Sequence, residues 1–299
     1  MASSSPPASS LLAIFGPTAV GKTALAGELR MRLGATVISA DSAALYRDLP
    51  ILTAAPDYPT ELVGVLALEE DASVGWYQSA AHAVIDGAER PLVVGGTGLY
   101  FRAALTALEL PPPPEPGVRE RWEETYDSLG ADAAHALLAE RDPEAATRVH
   151  ANDRRRVVRA LELAEAGRSL AGDALWSERP RVPTTVVCFD LPLEEIDRRV
   201  DARTQAMVAA GAAEEARAAW AKPLSDTARK VLGLEQFATL PEHEAAEAVA
   251  TATKRLARYQ KKWMRKLPAA VTLDGGRPVG ELADEVIAVE RSGEHLPRR

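Results

Sequence analysis

The 299-residue chain has a single cysteine, Cys188, so no disulfide can form within it. One cysteine suits a reducing compartment, and its apolar neighbours over 185–189 predict a buried strand residue. No run of 18 or more apolar residues occurs, which predicts no membrane span. Residues 1–10 lack the basic region and apolar core of a secretory signal, and we expect a disordered leader. These absences predict a cytoplasmic protein.

The chain also has no excess of basic residues, since acidic residues outnumber lysines and arginines. The formal net charge is −8, which by itself argues against a nucleic-acid partner. The basic residues are clustered, however: seven of them and no acidic residue lie within 254–266, and Arg154, Arg155, Arg156 and Arg159 form a second group. Such clusters are either solvated helix faces or contacts for phosphates, and charge alone leaves both possibilities open.

The most specific motif is a phosphate-binding loop. An apolar run, Leu11–Phe15, leads directly into Gly16, Pro17, Thr18, Ala19, Val20, Gly21, Lys22 and Thr23. This G-x-x-x-x-G-K-T pattern between a strand and a helix points several backbone N–H groups and a lysine at one anion, and its threonine hydroxyl is a suitable Mg²⁺ ligand. The sequence therefore predicts binding of a di- or triphosphate, such as ATP.

Three further positions carry candidate chemistry. Asp41 follows the predicted strand 35–39, where it is a metal ligand, a base or a helix cap. Thr97 lies in a glycine turn, Gly95–Gly98, after the predicted strand 91–94, and could hold an oxyanion. Arg203, on a long predicted helix, is either an anion ligand or a surface arginine. Because these loops follow strand ends, we expect them to converge on one crevice.

The order of elements predicts an α/β fold: a P-loop NTPase-like parallel sheet with helices on both faces and an inserted all-helical domain. The proline-rich stretch 110–116 separates the first strands from a helical region over 117–170. The predicted later elements are a strand at 184–190, helices at 194–221, 226–240 and 242–266, and a strand near 270–273. The predicted domains are a core of residues 11–110 and 184–285, an insert of residues 111–183, and a polar tail over 286–299.

An ordered set of motifs resembles the bacterial tRNA dimethylallyltransferase family. The motifs are G-P-T-A-V-G-K-T at 16–23, I-S-A-D-S-x-x-x-Y at 38–46, V-G-G-T-G-L-Y-F at 94–101, D-P at 142–143, N-D-x-x-R-x-x-R-A-L-E at 152–162 and Q-x-x-W at 260–263. Each is weak alone apart from the first, but the match runs in order across about residues 11–266, which is most of the chain. The set is specific because its members occur in the family's order.

The resemblance implies transfer of a dimethylallyl group from dimethylallyl diphosphate to the exocyclic amine of adenosine 37. The acceptors would be tRNAs that read codons beginning with U, and the products N6-dimethylallyladenosine and diphosphate. The phosphate loop would then hold the departing diphosphate together with Mg²⁺ on Thr23. The implied catalytic residues are Asp41 as the base, and Thr97 and Arg203 as diphosphate ligands.

The resemblance also implies a surface, partly on the insert, that binds the anticodon stem-loop of tRNA. The adenosine would flip out of the stack of that loop to reach the site. The residues of this surface would be Asp41, Ser42, Ala43, Ala44, Arg155, Arg156, Arg159, Arg258, Gln260, Lys261 and Trp263. We expect a monomer with no membrane partner.

The chain departs from the family pattern in several places. Ala55 replaces the usual lysine, residues 62–68 lack a histidine pair, and the motifs at 233–236 and 258–260 are altered. Three alternatives therefore stay open: a P-loop kinase that uses ATP, an adenylate isopentenyltransferase, and a tRNA-binding homologue with weakened catalysis. The residues that would handle diphosphate are all retained, which favours the prenyltransferase.

Overall fold

A five-stranded parallel sheet lies at the centre of the larger part of the chain. The computed structural model describes residues 10–108, 110–111, 114–170, 179–269 and 271–292. The strands are β1 (Leu11–Phe15), β2 (Thr36–Ala40), β3 (Pro91–Gly95), β4 (Thr184–Asp190) and β5 (Val271–Asp274), in the spatial order β2-β3-β1-β4-β5. Every pairing is parallel, which confirms the predicted fold class.

Helices cover both faces of the sheet. The helices of this part are α1 (Lys22–Leu33), α2 (Val74–Gly87), α3 (Gly98–Leu105), α8 (Leu193–Ala209), α9 (Ala212–Trp220), α10 (Leu234–Thr239), α11 (Glu242–Met264) and α12 (Val279–Ser292). Alternate side chains of β1 point to opposite faces. Leu12 and Ile14 belong to a buried cluster with Leu25 of α1. Phe15 meets Phe101 of α3 edge-on, with ring centroids 5.0 Å apart.

The predicted helix over 194–221 is two helices. α8 ends at Ala209 and α9 begins at Ala212, with Gly211 between them at φ +94°. That backbone conformation favours glycine and cannot continue an α-helix. Likewise, the region 226–240 contains a short 3₁₀ turn, Ala228–Lys230, and the six-residue α10 rather than one helix. Alanine-rich composition on both sides of Gly211 conceals the break.

The predicted polar tail is partly wrong. α12 continues to Ser292, and its Leu282, Ala283 and Val286 are buried in the same cluster as α1. Val286 and the partly buried Ile287 therefore pack on the core, because an amphipathic helix buries its apolar stripe whatever the polarity of its other face. Residues 293–299, and residues 1–9 of the leader expected over 1–10, lie outside the described residues.

The chain divides into two compact units, residues 108–178 and the remainder. In the smaller unit, the described helices are α4 (Val118–Leu129), α5 (Ala131–Arg141), α6 (Pro143–Arg148) and α7 (Arg154–Glu165), so the predicted helical character of 117–170 is confirmed. They pack around Trp122, Tyr126, Leu138, Val157 and Leu161. Among the described residues, no helix combines the length and apolarity that crossing a membrane requires.

Candidate active site

Three loops meet at the carboxyl edge of the sheet, as predicted. The Gly16 N–H lies 3.4 Å from the Gly95 carbonyl oxygen, and the Thr97 N–H donates to the Ala40 carbonyl oxygen at 3.2 Å. The Thr97 hydroxyl also accepts from the Ser42 N–H at 3.3 Å. Because β2, β3 and β1 are neighbours, the loops after them form one continuous wall.

Glycines let this wall close tightly. A Cβ at Gly16 would lie 2.5 Å from the Phe189 carbonyl oxygen, and one at Gly95 would lie 2.3 Å from that of Ala40. At Gly21 the backbone has φ +99° immediately before α1. Ala19 also has a positive φ, +66°, which is uncommon for a residue with a side chain. The phosphate-binding loop thus has a left-handed backbone at two positions, which glycine favours at Gly21 and which is uncommon at Ala19.

Two cations of the site are half-buried and have no ion pair with a carboxylate among the described residues. Lys22 is half-buried and its Nζ donates to the Pro17 carbonyl oxygen at 2.6 Å. Burial lowers the pKa of Lys22 to about 8, with Asp41 acting in the opposite sense and Arg203 in the same sense. Burial likewise lowers the pKa of Arg203, again opposed by Asp41. These interactions place Lys22, Arg203 and Asp41 in one electrostatic cluster.

Asp41 is the acidic member of this cluster. Its Oδ1 accepts from the Ala43 N–H at 3.0 Å, which forms a local turn. No helix begins there, so the helix-cap alternative is wrong. Burial raises the pKa of the Tyr100 hydroxyl to about 12, and Tyr46 and then Asp41 contribute to that rise. Asp41 therefore lies at the edge of a buried aromatic region, with cations in range of its carboxylate.

The Thr23 hydroxyl is an oxygen donor of the kind that Mg²⁺ accepts in proteins. Thr23 is exposed at the start of α1, and its carbonyl oxygen accepts from the Tyr58 hydroxyl at 2.7 Å. In the described part of the chain, no three His, Cys, Asp or Glu side chains group as a metal site. Mg²⁺ commonly takes one or two protein oxygens and completes its shell with waters and substrate phosphates, so Thr23 suits this arrangement.

Helix α11 contacts the loops directly. The Oε1 of Gln260 accepts from the Thr18 N–H at 2.7 Å, and the side chain is 5% exposed. A Cβ on Gly98 would lie 2.1 Å from the ring of Trp263. Gln260, predicted to bind tRNA, is therefore engaged within the protein, and its contact with tRNA stays a prediction. Trp263 is half-buried against the Gly95–Gly98 turn.

Several basic residues of α11 form ion pairs along a neighbouring helix and strand. Lys254 pairs with Asp201, Arg258 with Asp197 and Lys261 with Asp190, at 2.6 to 2.7 Å. We call these three pairs the ion-pair ladder. Arg258 and Lys261, predicted to bind tRNA, are thus engaged within the protein. Arg255 and Lys262, on another face of α11, are exposed and have no ion pair in the described residues.

The other predicted tRNA residues differ in their surroundings. Ser42 and Ala43 are half-buried beside Asp41, whereas Ala44 is buried. In the inserted unit, Arg155 and Arg156 are exposed, and Arg156 lies 3.5 Å from the Asp153 carboxylate. Arg159 donates to Glu162 at 2.7 Å. Arg155 and Arg156 therefore present the accessible positive charge of this cluster.

Comparison with known proteins agrees with this geometry. The family model described as IPP transferase matches residues 44–267. The chain is 39% identical to a tRNA dimethylallyltransferase from Kineococcus radiotolerans, over 93% of this chain and 95% of that protein. A tRNA dimethylallyltransferase from Streptomyces coelicolor is also 39% identical, over 92% and 93% of the two chains.

The chain belongs to the IPP transferase family. A crystal structure of the tRNA isopentenylpyrophosphate transferase from Bacillus halodurans superposes with a TM-score of 0.67 at 27% identity, covering 95% of this chain and 97% of the other. A eukaryotic dimethylallyltransferase, solved acting on tRNA, has a TM-score of 0.75 at 23% identity, over 89% and 74% of the chains. That second likeness shows the fold.

Sequence reasoning missed a half-buried carboxylate that anchors one loop of this IPP transferase family member. Glu215 of α9 accepts from the Ile51 and Leu52 N–H groups at 2.9 and 2.8 Å. Burial raises its pKa, and those two hydrogen bonds oppose the rise. It thereby fixes the segment that leads to Ala55, where the family pattern has lysine. One glutamate among the charged residues of a helix gave no signal of this contact.

The altered motif at 233–236 has a local structural role. The Oε1 of Gln236 accepts from the Gly233 N–H at 3.1 Å at the start of α10. The apolar stretch 62–68 contributes Leu62, Leu66 and Leu68 to the buried core. These departures therefore occur where the side chains cap a helix or pack in the interior.

Proposed function

We propose that this protein transfers a dimethylallyl group from dimethylallyl diphosphate to the N6 amine of adenosine 37 in tRNAs that read codons beginning with U. The observation that carries the proposal is the meeting of the phosphate-binding loop with the loops of Asp41 and Thr97 at one edge of the sheet, with Lys22 and Arg203 in electrostatic range of Asp41. The two cations, which have no ion pair among the described residues, would receive a diphosphate, and the carboxylate would receive the acceptor amine's proton. Relatives named tRNA dimethylallyltransferase over nearly the whole chain support the same activity.

The chemistry follows from where charge develops. The allylic carbon–oxygen bond breaks and its electron pair leaves with the diphosphate, so negative charge grows on the leaving group. Lys22, Arg203, the loop N–H groups and the Thr97 hydroxyl would stabilise that charge. The N6 lone pair forms the new carbon–nitrogen bond, and Asp41 accepts the proton that the amine then releases. Prenylated adenosine and diphosphate are the products.

Mg²⁺ belongs to this proposal as a partner of the diphosphate. The Thr23 hydroxyl would hold it, with phosphate oxygens and water as its other ligands. The bound ion would neutralise part of the charge on the leaving group.

The acceptor has to leave its stack to reach Asp41, so we propose a flipped base. Arg155, Arg156 and Arg159 of the inserted unit, with residues of the Asp41–Ala44 segment, would contact the anticodon stem-loop. The exposed Arg255 and Lys262 are better placed to meet phosphates than the paired Arg258 and Lys261. We further propose that the protein acts as a monomer in the cytoplasm, which light scattering of the purified chain and fractionation of cells would test.

The experiment is a reaction of the purified protein with dimethylallyl diphosphate and an anticodon stem-loop that contains adenosine 37. Mass spectrometry of the digested RNA should reveal one dimethylallyl group on that adenosine. A stem-loop with guanosine at this position is the matched control. Phosphorylation of a small molecule by labelled ATP would support a kinase instead. Prenylation of free adenylate but not of RNA would support an adenylate isopentenyltransferase. Binding of RNA without any product would support a tRNA-binding homologue with weakened catalysis.

A further inference from the structure

Gln260 joins two of the loops that form the proposed donor site. Its Oε1 accepts from the Thr18 N–H in the phosphate-binding loop at 2.7 Å, across 242 positions of sequence. On the other side of its amide, a Cβ at Gly96 would lie 2.5 Å from Nε2 and 2.9 Å from the Gly16 carbonyl oxygen. Gly96, Gly16 and the Gln260 amide therefore meet in a space that excludes even one methyl group.

The surroundings of α11 fix this contact. The ion-pair ladder holds one face of the helix, and Trp263, one turn after Gln260, packs on Gly98. Ala257, one turn before, is fully buried in the core cluster. The register of α11 is thus set on three sides, so the Gln260 side chain has a defined direction into the loops.

We propose that Gln260 is a positioning residue for the diphosphate, which it serves through the phosphate-binding loop rather than through tRNA. This inference rests on the proposed function. By binding the Thr18 N–H, the amide oxygen fixes the start of the loop, so that the later N–H groups and Lys22 face the leaving group. A neutral acceptor is required here, because a carboxylate at the same place would oppose the binding of an anion.

Three variants separate this role from others. Gln260→Leu keeps the approximate size and removes the acceptor. Gln260→Glu keeps an acceptor and adds negative charge. Gly96→Ala leaves Gln260 unchanged but forces its amide to move, and Gly87→Ala is its matched control because a Cβ there meets nothing within 4 Å. Gln205→Glu, at an exposed position of α8, is the control for added charge.

Pyrophosphate binding by calorimetry and steady-state kinetics give the readout. Gln260→Leu should weaken pyrophosphate binding and raise the KM for dimethylallyl diphosphate about three- to tenfold, the worth of one hydrogen bond. The KM for the stem-loop should stay within about twofold, since the tRNA contacts are untouched. Gln260→Glu should weaken pyrophosphate binding further, and the defect should shrink at lower pH as the carboxyl becomes protonated.

Hydrogen exchange of the ligand-free protein provides an independent measurement. Exchange in the peptide that contains residues 16–23 should become faster in Gln260→Leu and Gly96→Ala but not in Gly87→Ala. If Gln260→Leu fails to fold, the Glu and Gly96 variants carry the test. Unchanged pyrophosphate binding in the folded variants, with a raised KM for the stem-loop, would overturn the inference. Wild-type protein that binds no pyrophosphate would instead refute the proposed function itself.

Discussion

Basic residues are treated in opposite ways in two regions of this molecule. At the sheet edge, burial lowers the pKa of Lys22 and of Arg203, and neither has a carboxylate partner in the described residues. In the inserted unit, hydrogen bonds that Arg154 donates to Asp127 raise the pKa of Arg154, and those that Arg119 donates to Glu162 raise the pKa of Arg119. The cations of the first region are desolvated and lack ion pairs, whereas the arginines of the second region form ion pairs with carboxylates of the same unit.

This contrast separates residues that bind from residues that stabilise. A cation that is desolvated and unpaired gains most when an anion arrives, because the ligand supplies the missing partner. A cation in a bidentate pair, such as Arg154 with Asp127, gains little from a second anion. We therefore expect anion binding to depend more on Lys22 and Arg203 than on the number of arginines in a cluster.

The largest effect is expected at the only acidic group assigned to the cluster. Asp41→Ala should reduce turnover by about 10²-fold or more, because a general base contributes about that much. Pyrophosphate binding should persist or strengthen, since the removed charge opposes an anion. Single-turnover kinetics would measure the first and calorimetry the second, with the exposed Asp57→Ala as the control. Near-normal turnover in Asp41→Ala would show that Asp41 is not the general base.

Loss of a desolvated cation should be the next largest effect. Lys22→Ala should weaken pyrophosphate binding about 10- to 100-fold, as expected for hydrogen bonds to a charged group. Wild-type binding should also decline as pH rises through about 8, where Lys22 loses its proton. Lys22→Arg remains charged, so it should lack this decline and controls for titration of pyrophosphate itself. Parallel pH profiles for wild type and Lys22→Arg would contradict the assignment.

Stability of the ligand-free protein offers a test without substrate. The pKa of Lys22 falls from 10.5 to about 8 on folding, so between these values the unfolded chain binds more protons. Wild-type stability should therefore gain as pH rises from about 8 to 10.5 relative to Lys22→Met. Below pH 8, Lys22→Met should be the more stable protein. Urea melts at several pH values would measure the difference, and a constant offset would argue against a desolvated lysine.

A paired carboxylate of the inserted unit should affect folding instead. Glu162 has a fully buried side chain, and hydrogen bonds from Arg119 and Arg159 keep its pKa below the usual range although burial opposes this. Glu162→Gln should lower the free energy of unfolding by about 1–3 kcal/mol, because a buried pair is broken. Glu165→Gln, on a more exposed carboxylate, should cost less. If urea melts showed the same loss of unfolding free energy in both variants, burial of Glu162 would not account for its effect on stability.

The smallest effects concern RNA affinity. Arg255→Ala and Lys262→Ala should each reduce the salt dependence of stem-loop binding by about one counterion. Arg258→Ala should change it less, because Arg258 already pairs with Asp197. Fluorescence anisotropy at several salt concentrations would give the slopes. A larger loss in Arg258→Ala than in Arg255→Ala would show that the ladder opens to bind RNA.

Local patterns in the sequence predict much of the fold. The strands before Gly16 and Gly95 and the strand at 184–190 are evident from short apolar runs, and G-x-x-x-x-G-K-T places the loop. The break at Gly211 and the buried end of α12 are not evident, because alanine-rich and mixed-polarity segments fit several helix boundaries.

Long-range contacts account for what the sequence could not predict at the site. The hydrogen bond from Thr18 to Gln260 joins positions 242 residues apart, and the ion-pair ladder uses acids from other elements. Residue type made Gln260 and Arg258 resemble surface contacts. Only the packing of α11 reveals that Gln260 accepts a hydrogen bond from the phosphate-binding loop and that Arg258 pairs with Asp197.

The most direct test of the central claim follows the leaving group and the acceptor in one reaction. Wild type, Asp41→Ala and Lys22→Ala would each receive dimethylallyl diphosphate, Mg²⁺ and the anticodon stem-loop, with released pyrophosphate and prenylated adenosine measured together. We predict equal amounts of both products from wild type, and sharply reduced amounts of both from the two variants. Pyrophosphate released without prenylated adenosine, or undiminished product from Asp41→Ala, would contradict the account.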